Sequence, residues 1–440
     1  MKNLRRTFSQ IPQWLAIGLG VKRWLLMLLV GITLASVGTA FFLLDIYRNS
    51  PEIPWWIDFI SLVALRPFPR SVRILVFGSL GIGFFGFGLW GLNRAIMAPY
   101  LRPGRSVVDT LANYRQLKRG AKIVVLGGGT GQSTLLRGLK RYTKNLTAVV
   151  TVADDGGSSG RLRRTMGILP PGDIRNCLAA LSDDEELITQ LFQYRFSQAD
   201  GSGGLEGHSF GNLFLSAMSE ISGSFEGAIA ESGRVLAVNG RVMPATLENV
   251  NLVAEVLLEN ADKRIQVIGE SQIPEAGGAI QRVWLEPDAP PAYPRVIQAI
   301  LSADMIVVGP GSLFTSLLPN LLVPEIAAAL KSSSALRVFV CNVANQAGET
   351  MGFSCGDYLQ ALENHLGEHL FDLVVCHRES VFVRLPDEIE RVNVEAETRA
   401  QYPLYFGDVA NDDKPWLHDS DKLAQVLIDL YQHRTGPLTL

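Results

Sequence analysis

Cysteine is scarce. The chain of 440 residues holds four, Cys177, Cys341, Cys355 and Cys376, and no C-x-x-C pair. That spacing fits neither a zinc site nor a disulfide framework, and it leaves buried, reduced thiols as the reading. Histidine is also sparse, at six. One stretch, HLGEH at residues 365–369, matches the H-x-x-E-H metallopeptidase pattern. Gly367 interrupts the helix those ligands need, and a strand is expected from Leu373, so the match reads as a surface helix end. No repeat and no low-complexity tract is visible. Positive charge is lacking where nucleic-acid binding would require it. Residues 122–440 carry 25 basic and 39 acidic side chains, a net of −14, which argues against a nucleic-acid partner. Residues 1–121 are the reverse, with 15 basic and 4 acidic side chains, a net of +11.

Charge of either sign is missing from two runs. Residues 24–44 are 21 uncharged residues and residues 74–92 are 19. Each is long enough to cross a hydrocarbon core of about 30 Å as a helix, and the first is too long for a signal peptide. Lys2, Arg5, Arg6, Lys22 and Arg23 precede the first run; six basic residues and one acid follow the second, across residues 93–121. The positive-inside rule then places both ends in the cytoplasm. The expectation is an inner-membrane hairpin within residues 1–92 and a basic linker, residues 93–121, suited to an anionic inner leaflet. Trp55 and Trp56, in the loop between the runs, suit the membrane interface. A cytoplasmic domain, residues 122–440, completes the chain.

In that domain short apolar runs alternate with helical stretches. Residues 123–126, 147–152, 305–308, 336–340 and 373–375 read as buried strands. Buried strands separated by helices predict a doubly wound, mostly parallel α/β sheet. RIQVIGESQI and GAIQRVWLEP alternate like antiparallel strands, which predicts an antiparallel insertion near residues 234–290.

Ligands of open α/β sheets sit beyond the carboxyl ends of the strands, so the informative loops are those that follow strands. The first strand is followed by a glycine turn that includes Gly128, Gly129, Thr130 and Gly131. Glycines allow close backbone approach, and a helix beginning there aims free N–H groups at an anion. Gln132 stands where the dinucleotide fingerprint G-x-G-x-x-G has its last glycine. After the second strand come Asp154, Asp155, Gly156, Gly157, Ser158 and Ser159. Two carboxylates before a Gly/Ser loop suit sugar hydroxyls or a phosphate-bound magnesium ion. Asp173, Arg175 and Asn176 are expected at one helix start, and His208 and Asn212 at another. Gly309, Gly311 and Ser312 form a second candidate anion loop after the strand at 305–308, and Asn342 follows the next strand. Asp154, Asp155 and His208 are the candidates for catalysis. Together these loops predict one cleft for a phosphorylated, hydroxyl-rich ligand.

The stretches KIVVLGGGTGQSTLLRGLK, VTVADDGGSSGRLR, PPGDIRNCLAALSD, GHSFGNLFL and VGPGSLFTSLLPNLLV occur in that order. Together they resemble the YvcK family of gluconeogenesis factors, a branch of the CofD-like superfamily. The resemblance covers roughly residues 122–385 and implies a Rossmann-like fold. It further implies binding of a UDP-sugar such as UDP-N-acetylglucosamine, and control of cell shape, wall synthesis and carbon metabolism during gluconeogenic growth. A homo-oligomer and cell-wall regulatory proteins are the expected partners. The related CofD enzymes transfer a phospholactyl group onto a deazaflavin precursor. The GGSSGR that follows Asp155 departs from the pattern expected of that branch, and the membrane hairpin departs from cytosolic relatives. Three readings stay open: a ligand-binding regulator, a phospholactyl transferase, and a membrane scaffold with a vestigial cleft.

Overall fold

The computed structural model describes residues 67–97 and 117–435, apart from 198–203, 259–262, 368–369, 379–384, 387–388, 396–397 and 399–400, together with a few positions between 29 and 40. The chain divides into two compact units, Met1–Gln116 and Leu117–Leu440.

In the first unit the described element is helix α1, Arg70–Met97. It contains the expected second membrane run, and Leu75, Ile82, Phe84 and Phe87 are exposed on it. Most of the expected first run lies outside the described residues. Among the described residues no single helix is long and apolar enough to cross a membrane, so the hairpin expected from the sequence gains no support here. A bent pair, Leu313–Leu321 with Pro324–Ser332, is long and apolar enough when its two helices are taken together. Its Leu313, Leu318 and Leu330 are fully buried, and it belongs to the core of the second unit.

The second unit is built on a seven-stranded parallel sheet. Strand β1 (Ile123–Gly127) pairs in parallel with β2 (Leu146–Val150) on one side. On its other side it pairs with β7 (Met305–Val308). All fourteen residues of these three strands are buried, the pattern of a sheet covered on both faces. Beyond β2 lies β3 (Arg241–Pro244). Beyond β7 follow β8 (Leu336–Val340), β9 (Leu373–His377) and β10 (Leu404–Gly407), all parallel. The chain thus winds outward from β1 in one direction and, after β3, outward in the other, which makes the β1–β7 boundary the topological switch point.

Helix α2 (Gly129–Leu139) starts within the glycine turn itself. It packs against α4 (Gly172–Leu181) and the C-terminal helix α12 (Ser420–Thr435). Between α2 and α4 runs α3 (Gly157–Met166). The chain then passes through α5 (Glu185–Gln193), α6 (Phe210–Ser222) and α7 (Phe225–Val235) to β3.

An antiparallel insertion is present, as the alternation predicts. It comprises β4 (Asn251–Leu258) between β5 (Lys263–Ile268) and β6 (Gly278–Glu286). Its bounds are narrower than expected, because β3 belongs to the main sheet; four residues ending in a proline carry little periodic signal. Helix α8 (Pro294–Leu301) leads back to β7. After β7 the chain forms a π-helical turn, Leu313–Leu317, then α9 (Leu318–Leu321), α10 (Pro324–Ser332) and, after β8, α11 (Cys355–Leu366). The four cysteines are buried and form no disulfide, as their spacing suggested.

Candidate functional site

The loops after β1 and β7 meet at the switch point. A Cβ on Gly131 would lie 2.5 Å from the Pro310 carbonyl oxygen and 3.1 Å from the Gly311 nitrogen, so only glycine lets the two backbones touch. Gly129 adopts a φ of +63°, which turns the chain into α2. Gln132, in place of the last fingerprint glycine, has a structural use: its buried amide donates to the carbonyls of Val125 and Val149, both at 2.9 Å. It thereby fastens the start of α2 to the ends of β1 and β2.

A cleft of about 570 Å³ opens over these loops. Gly128, Gly129, Thr130, Gly131, Gly311, Ser312 and Asn342 line it, as do Gln346, Trp416 and His418. Gly309, with a φ of +87°, turns the second loop behind them. The first N–H groups of a helix have no acceptor within it. In α2 one of them, at Gly129, donates to the Asp173 carboxylate at 2.7 Å. Those of Thr130 and Gly131 lie next along the cleft wall, where the N-terminal end of the helix favours an anion.

The second loop differs from its expected form. Ser312 precedes a π-helical turn and not an α-helix. The Phe314 N–H donates to Glu349, as does the Thr315 hydroxyl at 2.8 Å. This site is therefore already capped by a side chain of the protein. The Ser312 hydroxyl donates to Gln346, and Asn342 forms a reciprocal pair with the Gly311 backbone, donating to its carbonyl at 2.9 Å and accepting from its N–H at 3.3 Å. Asn342 positions the loop. Burial raises the Glu349 carboxyl, against the bonds from Thr315 and Phe314.

A second group of side chains gathers around the loop after β2, joined to the first through Asp173. Asp154 accepts from the Gly156 N–H at 2.9 Å, and Asp155 accepts from Ser271 N–H, in the insertion, also at 2.9 Å. Gly157, with a φ of +46°, begins α3. Asn212 donates to the hydroxyls of Ser158 and Ser159. His208 Nε2 accepts from Arg161 at 3.4 Å, so a neutral ring carries its proton on Nδ1, which donates to Ser158 at 3.0 Å. Burial, with the Arg161 charge adding to it, lowers the His208 pKa and keeps the ring neutral. With both nitrogens engaged, this candidate for catalysis braces a loop. Arg175 donates to Ser209 and Asn176, which holds the starts of α4 and α6 together. Asn176 itself faces a separate small cavity of about 140 Å³ shared with Thr130 and Arg137.

Carboxylates accumulate here. Burial raises Asp154, Asp173 and Glu270; repulsion from Asp155 adds to it at Asp154, from Asp154 at Asp173, and from both Asp154 and Asp173 at Glu270, and Asp173 reaches about 6. The Glu270 Oε2 atom is buried without a hydrogen-bond partner among the described residues. Glu270 and Ser271 were invisible to sequence reasoning, because no motif links the insertion to a loop more than a hundred residues earlier. Among the described residues no group of three His, Cys, Asp or Glu side chains is arranged to hold a metal. The Asp154 and Asp155 carboxylates are committed to backbone N–H groups instead. His365 of the HLGEH stretch is likewise occupied. Its Nδ1 donates to the Ala361 carbonyl at 2.7 Å and its Nε2 accepts from Val283 N–H at 3.0 Å. Glu368 and His369 lie outside the described residues.

The Asp173 carboxylate sits where it repels an anion bound at Thr130 and Gly131. Its raised pKa means that it is neutral below about pH 6 and charged above. A diphosphate diester does not titrate near this pH, so its affinity should rise as pH falls from 7.5 to 5.5. Asp173→Asn should bind about as well at pH 7.5 as the native chain does at pH 5.5, with a flattened profile. Calorimetric titrations at both pH values check this; an unchanged slope in the variant excludes Asp173 as its source.

The family model described as 2-phospho-L-lactate transferase CofD matches residues 123–425. A gluconeogenesis factor of Nostoc sp. is 47% identical, over 97% of this chain and 94% of that protein. The gluconeogenesis factor of Bacillus subtilis is 45% identical, but over 70% of this chain and 98% of its own length. The Nostoc relative therefore extends into the N-terminal unit, whereas the Bacillus protein matches little more than the second unit. The crystal structure of a UPF0052 family member from Bacillus halodurans superposes with a TM-score of 0.64 at 42% identity, over 70% of this chain and 99% of that one.

Proposed function

Since the chain belongs to the gluconeogenesis-factor family of proteins with a CofD domain, we propose that its cleft binds a nucleotide sugar of the UDP-N-acetylglucosamine type. In this reading binding serves to regulate cell shape, wall synthesis and carbon metabolism under gluconeogenic growth. The observation that carries it is the contact of two glycine loops at the switch point, under a cleft whose wall presents the N-terminal N–H groups of α2. The diphosphate lies at Thr130 and Gly131, and the sugar hydroxyls face the carboxylates around Asp154.

Regulation is favoured over transfer because of where the cations are. Phosphoryl-type transfer needs positive charge held on the transferring group. Arg163 is bound to Asn249, Val250 and Asn251, Arg175 to Ser209 and Asn176, and Arg161 to Glu206 and His208. These arginines build the loops. A cleft that binds the ground state alone yields no rate. A thermal-shift screen of the full-length chain against UDP-sugars and deazaflavin precursors is the test. Saturating UDP-N-acetylglucosamine should raise the melting point by several degrees. Stabilisation by a deazaflavin precursor and not by any UDP-sugar would overturn the reading.

The N-terminal unit, in this account, anchors the binding domain at the inner membrane through a hairpin of residues 24–44 and 74–92 with both ends cytoplasmic. The two uncharged runs and their basic flanks support it. Topology reporters fused after residue 120 and within residues 45–73 should report opposite sides; the same side for both ends the hairpin.

A further inference from the structure

Part of the cleft wall comes from a segment with no glycine motif. Trp416, Leu417 and His418, which lie between β10 and α12, line the cleft together with Ile389. The segment is held in place by backbone bonds. His418 is bridged to Ala410, Asn411 N–H donates to the Leu417 carbonyl at 2.9 Å, and Asp419 N–H donates to the Val409 carbonyl at 2.9 Å. The wall is therefore set before any ligand arrives. Trp416 is half-buried, leaving part of its indole accessible.

His418 is unusual. Both ring nitrogens are shielded from solvent, and among the described residues the ring has at most a weak backbone contact at Val409 and no close hydrogen bond. Buried polar groups are nearly always well paired, so an imidazole this poorly paired beside a cleft is a candidate ligand contact. Burial, with a smaller contribution from His377, pushes its pKa down to about 4. The ring is neutral near pH 7, with one N–H donor and one lone pair.

We propose that Trp416 and His418 form the subsite for a nucleobase, with the indole stacking on the base plane and a turn of the His418 ring bringing one of its shielded nitrogens to the base edge. An accessible indole and an under-paired donor–acceptor ring suit a flat heterocycle that carries N–H and carbonyl groups; a sugar offers no flat face to stack. The subsite completes the nucleotide-sugar reading on which it rests: diphosphate at the glycine loops, base at the 416–418 segment.

The test uses the full-length chain in detergent, titrated calorimetrically with UDP-N-acetylglucosamine and separately with inorganic pyrophosphate. Trp416→Ala should weaken the nucleotide sugar about tenfold, the usual scale for one lost base stack, and leave pyrophosphate unchanged. Trp416→Phe should stay within about threefold of the native chain, since it keeps an aromatic face. His418→Leu should also weaken the nucleotide sugar selectively, and its ligand-free melting curve reports whether the segment still folds. Native affinity for the nucleotide sugar in both Trp416→Ala and His418→Leu overturns the subsite while the cleft reading stands. Equal losses for pyrophosphate and nucleotide sugar overturn it too, because they place the segment at the phosphates. No binding of the nucleotide sugar by the native chain overturns the cleft reading itself.

Discussion

Gly131→Ala should lower the affinity for a nucleotide sugar at least a hundredfold. The added methyl would meet the Pro310 carbonyl oxygen at 2.5 Å and its carbon at 2.8 Å. Both are backbone atoms, so no side chain can swing aside, and the loops after β1 and β7 must part. Parting them moves the N–H groups of Thr130 and Gly131 away from the second loop, and a diphosphate held between the two loses contacts on both sides. A hundredfold corresponds to about 2.7 kcal/mol. The same clash should lower folding stability by about 1–3 kcal/mol, the usual range for overpacking. Gly223→Ala separates the two effects. Gly223 ends α6 with a φ of +71° and open space around its Cβ position. Alanine there should cost about 1 kcal/mol of stability through backbone strain and leave affinity unchanged. Calorimetry and denaturant melts on both variants decide. Equal affinity losses in the two would show that Gly131 acts through global stability alone.

Arg163→Met should destabilise the fold by about 2–4 kcal/mol, since it removes several hydrogen bonds from a charged donor, each worth about 1.5–3 kcal/mol. Arg163 is 7% exposed. Its guanidinium donates to the Asn249 side chain at 2.5 Å, to the Val250 carbonyl at 2.6 Å and to the Asn251 side chain at 2.8 Å. Burial lowers its pKa, and the charges of Asp155 and Asp154 oppose that shift. Methionine fills similar volume but leaves those acceptors and carboxylates without their cation. Arg163→Lys should fall in between, since an ammonium keeps the charge but cannot reproduce the fork. A loss below about 1 kcal/mol in Arg163→Met, measured by denaturant unfolding, would remove Arg163 as the clamp between insertion and site.

The parallel sheet was legible because its central strands are continuous apolar runs, each followed by a polar, glycine-bearing loop. The insertion was legible from alternation in β5 and β6. What failed to show is instructive. Strand β3 is short, ends in proline and lies at the sheet edge, so neither period nor composition marks it. The loop at Ser312 looks like a helix start in sequence, but the turn that follows is π-helical and its Phe314 N–H is already bonded to Glu349, 35 residues on. Gln132 reads as a defective fingerprint glycine until its amide is seen bonded to two strand carbonyls. Asp173 reads as a helix-start acid of α4, yet it caps the neighbouring helix α2. These relations depend on which loops the topology brings together, and no local window of sequence contains them. The candidates themselves sort into cleft wall and supporting brace. Thr130, Gly131, Gly311 and Ser312 line the cleft, whereas Arg175, His208 and Asn212 hold loops in position.

The account stands on where a diphosphate sits, so the most direct measurement is a crystal structure of the chain grown with UDP-N-acetylglucosamine. The account predicts phosphate oxygens within about 3 Å of the Thr130 and Gly131 nitrogens, in the 570 Å³ cleft between the loops after β1 and β7. A nucleotide sugar bound elsewhere, such as in the 440 Å³ groove along β3, with the glycine loops unchanged, would contradict it.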